Sequence, residues 1–178
     1  MVQKIQGHRR GNNTRAPRHI YMSGLAAGAS VMTLDGALPV EFLHAGDRLV
    51  TLDHGMVKLR AITARPAWKP DLVRVNPRAL APTSDAPDFW IAAHQPLLIR
   101  DWRAQAMFGR TRVMVPANRM LDGEHMRREK AEGEIMLFQL HFEATHLLRV
   151  GGLELTSTKL RGLQKASQHR AKVMSTGR

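Results

Sequence analysis

Between Ser30 and Ser157, apolar residues fall in short runs that mostly alternate with polar ones and stop at turn residues. "SVMTL" (30–34) ends at Asp35-Gly36, a pair that tolerates the positive φ of a tight hairpin turn. "LPVEFL" (38–43) leads into "HAGD" (44–47), where Gly46-Asp47 offers a left-handed backbone or a side-chain cap. "RLVTL" (48–52) alternates, meets "DHG" (53–55) and resumes as "MVKLRAIT" (56–63). Later runs are "LVRV" (72–75), "FWIA" (89–92), "PLLI" (96–99), "RVMVP" (112–116), "IMLFQLHF" (135–142), "HLLRV" (146–150) and "LELTS" (153–157). Runs of this length and period suit half-buried strands. About ten of them in one span predict an all-β domain.

The main departure is "ANRMLDGEHMRREKAEGE" (117–134), which reads as a short turn or helical piece followed by an exposed charged loop. Pro66, Pro70, Pro77, Pro82 and Pro87 break the middle of the chain, so short strands and loops are expected there, not helices. The ends lack the pattern. Residues 1–21 are polar, basic and broken by Gly, Asn and Pro, as in a flexible arm. Residues 161–178 mix Gln, Ser, Lys and Arg without a firm apolar face. The expected organisation is an arm over 1–21, one domain over 22–160 and a basic tail over 161–178, with no internal repeat.

Composition adds constraints. The 178 residues are 43% apolar, enough to bury a core. With no cysteine, neither a disulfide framework nor a thiolate metal site can form. The net charge of +12 sits at the ends. Lys4, Arg9, Arg10, Arg15 and Arg18 lie in residues 1–20, and Lys159, Arg161, Lys165, Arg170, Lys172 and Arg178 in residues 159–178, with no acid in either stretch. Such ends attract anions or nucleic acid without sequence selectivity, and they also serve as plain solvated extensions. No RNA-recognition motif, helix-turn-helix or zinc finger accompanies them. No run of 18 apolar residues suggests a membrane span, and no apolar leader follows the basic N-terminus. A cytoplasmic location is the expectation, with leaderless export as the alternative.

One ordered series of motifs goes further. Gly24-Leu25-Ala26-Ala27-Gly28-Ala29-Ser30-Val31 is followed by Pro39-Val40-Glu41, then by Ala45-Gly46-Asp47-Arg48-Leu49-Val50-Thr51 and "LDHG". "DFWIAAHQPLLIR", "VMVPANRMLDGEHMRR" and "IMLFQLHFEATHLLRVGGLELTSTKL" continue it. The series resembles the Hint (Hedgehog/intein) superfamily, and in particular the bacterial Hint-type domain common in alphaproteobacterial proteins, over about residues 22–160. The resemblance implies a compact, disc-like all-β fold with pseudo-twofold halves. It also implies a chemistry. In active members a Cys or Ser at the first position attacks the preceding carbonyl in an acyl shift. A histidine three residues after a Thr or Ser protonates the leaving amide nitrogen, and a second nucleophile, a sterol or water resolves the ester.

Set on this chain, that scheme lacks parts. The nucleophile position falls on Gly24, which has no side chain. Ser23, one residue upstream, is the alternative nucleophile, with cleavage after Met22. His94 falls at the histidine position as an acid/base remnant or a structural hydrogen-bonding residue, but Ile91 stands three residues earlier where active members carry a hydroxyl. Asp47 could polarise a site, though an Asp in such a turn more often caps backbone amides. His141, Glu143 and His146 include ligand types suited to Zn²⁺. In a strand, however, positions five apart face opposite ways, so no metal or cofactor is expected. The favoured reading is a Hint-type domain degenerate for self-cleavage, acting as a structural or binding module toward an unidentified protein partner. The alternatives are self-processing through Ser23 with His94, and a basic-tailed nucleic-acid-binding protein.

Overall fold

The computed structural model describes residues 23–79 and 81–160. The arm, the tail beyond Leu160 and Met22 lie outside the described residues. The chain opens with a two-residue strand, β1 (Leu25–Ala26), and two hairpins follow: β2 (Ser30–Thr33) with β3 (Gly36–Pro39), and β4 (Arg48–Thr51) with β5 (Gly55–Lys58). Then come β6 (Ala61–Trp68), β7 (Leu72–Val75), β8 (Phe89–Ala92), β9 (Pro96–Ile99), α1 (Trp102–Phe108), β10 (Val113–Pro116) and β11 (Met126–Arg128). The last four strands are β12 (Glu134–Phe142), β13 (Leu147–Val150), β14 (Leu153–Thr156) and β15 (Thr158–Lys159).

These strands build two sheets. One runs β11-β7-β8-β1-β12-β15 with β6 also on β12; the other runs β10-β9-β14-β13-β2-β4-β5 with β3 on β2. The pairings are antiparallel except that of β12 with β15, which is parallel. The fold is therefore all-β with one short helix among the described residues.

Burial explains the placement of β1. Leu25 packs into the main core with Val31, Leu49, Ile91, Leu97, Phe142 and Leu155. Ala26 points to the other face and joins Ala67, Leu72, Ala92 and Leu137. Successive residues of a strand face opposite ways, so "LA" is apolar on both sides because β1 lies between β8 and β12 with a core on each face.

Several expectations from the residue pattern need correction. "LPVEFL" is not one strand: β3 ends at Pro39 and Val40–Phe42 turn as a 3₁₀ helix. "MVKLRAIT" divides between the two sheets. Leu59 N–H bonds the Asp47 carbonyl and Arg60 N–H bonds the His141 carbonyl, so the chain crosses from one sheet to the other there. β6 runs through Pro66 because it is an edge strand, whose outward side needs no ladder donor. The α1 helix was not signalled by periodicity. Its ends carry their own signals: Asp101 Oδ1 accepts the Arg103 N–H at 2.9 Å, and Gly109 closes it at φ +64°. In 117–134 only Ala117–Arg119 is helical. Asp122 Oδ1 accepts the N–H groups of Glu124, His125 and Met126, and this loop launches β11 against β7 instead of leaving a charged loop free.

No described helix is long and apolar enough to cross a membrane.

Beside β11, the Trp90 indole N–H donates to Glu129 Oε2 at 2.9 Å, while Arg74 and Lys69 lie over its ring at 5.5 and 5.8 Å. The Ala131 N–H holds the Glu129 carboxyl below its usual pKa against the opposing effect of burial, helped by Trp90, the Lys130 N–H and Arg74. A depressed carboxyl pKa gives stability that is present above the unfolded value and is lost as pH falls through the folded one. Glu129→Gln is expected to flatten the acid side of the stability profile, so its Tm falls less than the parent's between about pH 5 and 3. Thermal melts across that range measure it; parallel curves would contradict the assignment.

Candidate functional site

The peptide bond between Ser23 and Gly24 enters the protein at the head of β1, and two side chains grip it. The Gly24 N–H donates to Gln95 Oε1 at 2.9 Å, and the Gly24 carbonyl accepts the Ala92 N–H at 3.0 Å. On the other side of the bond, Gln139 Nε2 donates to the Ser23 carbonyl at 2.9 Å and lies 3.3 Å from Ser23 Oγ. Ser23 Oγ also shares a 2.9 Å hydrogen bond with Thr158 Oγ1. Gln95, only 2% exposed, uses its amide nitrogen on the carbonyls of Thr156 and Pro96, at 2.9 and 3.2 Å. Every polar atom of this buried amide is thus engaged, as its burial requires.

Gly24 sits at φ +150°, and a Cβ built there would come within 2.7 and 2.8 Å of Leu137 Cγ and Cδ2. Leu137 faces Ala26 in the register of β12 with β1, so its side chain covers the place where a residue-24 side chain would start. The pocket left beside Gly24 is about 10 Å³ and is lined by Gln95, Phe138, Leu140, Thr156 and Thr158 among others. That is the lower limit for one water molecule and too little for an organic nucleophile.

The other residues singled out from the sequence fall elsewhere. His94 lies half-buried in the β8–β9 turn, makes no side-chain hydrogen bond among the described residues, and does not line this pocket. Its neighbour Gln95 is the residue that reaches the amide. The Gln95 N–H folds back on the Ala92 carbonyl, and this tight turn sends the Gln95 side chain inward. Ile91 is fully buried opposite Leu25. Asp47 Oδ2 accepts the His44 N–H at 2.7 Å within its own turn.

His141, Glu143 and His146 do not converge. His141 Nε2 meets Thr63 Oγ1 at 2.9 Å, and burial lowers its pKa. Glu143 pairs with Arg60 at 2.6 Å. His146 packs instead against Asp53 and His54.

Sequence reasoning missed Gln95, Gln139 and Leu137. Gln139 carried a signal, as the one amide inside the apolar run "IMLFQLHF", because a buried amide needs partners. Leu137 carried none, since one Leu in an apolar strand looks like any other.

The profile of the Hint domain family matches residues 23–160. Solved structures similar to the chain include a bacterial intein-like domain from Clostridium thermocellum, at 13% identity over 78% of this chain and 100% of that one, with a TM-score of 0.48. The MchDnaB-1 intein is similar at 16% identity over 75% of this chain and 99% of that one, with a TM-score of 0.45. No curated protein matches the chain.

The grip on residue 24 predicts the cost of breaking it. Gln95→Leu would orphan the Gly24 N–H and the Thr156 carbonyl, and each unmet buried group costs about 1–3 kcal/mol. The expected result is a lower urea midpoint at unchanged m-value. A midpoint equal to the parent's would show that the amide is not holding the junction.

Proposed function

The chain belongs to the Hint domain family, and from that premise we propose that it keeps the family's scaffold as a structural or binding module without cleaving its own backbone at residue 24. The observation that carries this reading is the packing of Leu137 onto a glycine. An acyl shift at this bond needs an oxygen or sulfur on residue 24. Here that residue has none, and the space where one would begin is occupied.

The leaving-group side of the bond supports the same reading. Departure of the amide requires a proton on its nitrogen. The group facing that nitrogen is the Gln95 carbonyl oxygen, which accepts the amide hydrogen and has no acidic proton to give. Gln139 polarises the Ser23 carbonyl, but no nucleophile stands over it. Ser23 Oγ is engaged with Thr158, and the carbonyl it would attack belongs to Met22, outside the described residues.

A fusion with an N-terminal reporter, followed by intact mass for a day at neutral pH with and without hydroxylamine, is expected to remain one species. Gly24→Cys should also remain intact. It should lose about 1–3 kcal/mol of stability through overpacking, with part of that restored by adding Leu137→Ala. A break between residues 22 and 24 that disappears in His94→Ala would falsify the proposal in favour of self-processing through Ser23.

A further inference from the structure

We propose that Asp53, His54 and His146 form a binding site for one divalent cation of the zinc class, where the β4–β5 turn meets the start of β13. None of the three ligands lines the pocket beside Gly24, and the site does not depend on whether that bond can be cut.

The three side chains are brought together by the fold. Asp53 Oδ2 lies 3.0 Å from His54 Nδ1 and 3.1 Å from His146 Nδ1, although 93 residues separate Asp53 from His146. One ligand atom from each residue lies within 4.8 Å of the other two. In a tetrahedral zinc site, bonds of about 2.0–2.1 Å set neighbouring ligand atoms about 3.3 Å apart. The two Asp53–imidazole distances are slightly shorter than that, and His54, 66% exposed, has room to rotate so that its nitrogen meets the ion together with His146.

The other two ligands are already held in place. His146 is 6% exposed. Its N–H donates to Ser157 Oγ and its carbonyl accepts the Ser157 N–H, both at 2.8 Å. Its ring stands edge-on to Phe142 at 5.5 Å. Asp53 gives Oδ1 to the Leu147 N–H at 3.0 Å, which leaves Oδ2 as the oxygen aimed at the imidazoles. Backbone contacts that orient ligands in this way are a recurring part of metal sites.

The donor set selects the ion. Two imidazoles and one carboxylate suit zinc better than calcium or magnesium, which prefer all-oxygen shells. In the bound form each imidazole gives its Nδ1 lone pair to the metal and carries its one N–H on Nε2. Three protein ligands leave a fourth position for water on the side of exposed His54. The bound ion would staple the β4–β5 hairpin to β13.

Titration of the full chain with zinc alone, by calorimetry at neutral pH, should show one high-affinity equivalent. Cobalt in its place should give the visible bands of a tetrahedral nitrogen–oxygen site. His54→Ala and Asp53→Asn should each weaken binding about tenfold or more, while His44→Ala, at another exposed histidine, leaves it unchanged. His54 is 66% exposed, so His54→Ala should melt like the parent without metal. Asp53→Asn keeps an acceptor for Leu147 but loses the carboxylate that both imidazoles face, so it should melt lower than the parent, and its binding is read well below that melt. No saturable equivalent, or parental affinity in both variants, would overturn the site and show only adventitious binding by the chain's nine histidines.

Discussion

The contact between Leu137 and the bare Cα of Gly24 governs the centre of this molecule. β1 is only two residues long, yet it bridges β8 and β12 and feeds a core on each of its faces. With the Leu137 side chain packed over this point, a Cβ at the entry to β1 would clash, and Gly24 supplies a backbone without one at a φ that other residues rarely adopt. The polar atoms of the entering peptide are then met by Gln95, Gln139 and the Ala92 N–H. In this arrangement both amide side chains are hydrogen-bonding partners of the entering backbone.

Much of the architecture was legible in the sequence because it is written in local signals. Asp35-Gly36 marks a hairpin turn, and short apolar runs marked β4, β7, β9, β13 and β14. What was illegible depended on tertiary context. "MVKLRAIT" looks continuous because a strand that changes sheets keeps its alternation while its partners change. Pro66 argued against a strand only if that strand were central. The seven-residue helix after Asp101 was too short to show a period.

The candidate site was legible in part for the same reason. The series of motifs located the junction at residue 24, and that glycine's missing side chain was plain. The choice between His94 and Gln95 was not, because adjacent residues in a tight turn face opposite ways and only the fold fixes which one turns inward. Likewise the partner of His146 could not be read from spacing. His141 and Glu143 are its neighbours in sequence, but the β4–β5 turn is its neighbour in space.

The Arg65-Pro66 pair in β6 has a consequence of its own. Among the described strands β6 pairs with β12 alone, and a strand in that position is where another chain could add. Arg65 and Pro66 are both exposed near its middle. A cation and an imino acid there make β6 a poor template for a strand from another molecule. The pair thereby works against edge-to-edge aggregation along β6, and strand exchange between copies is disfavoured there.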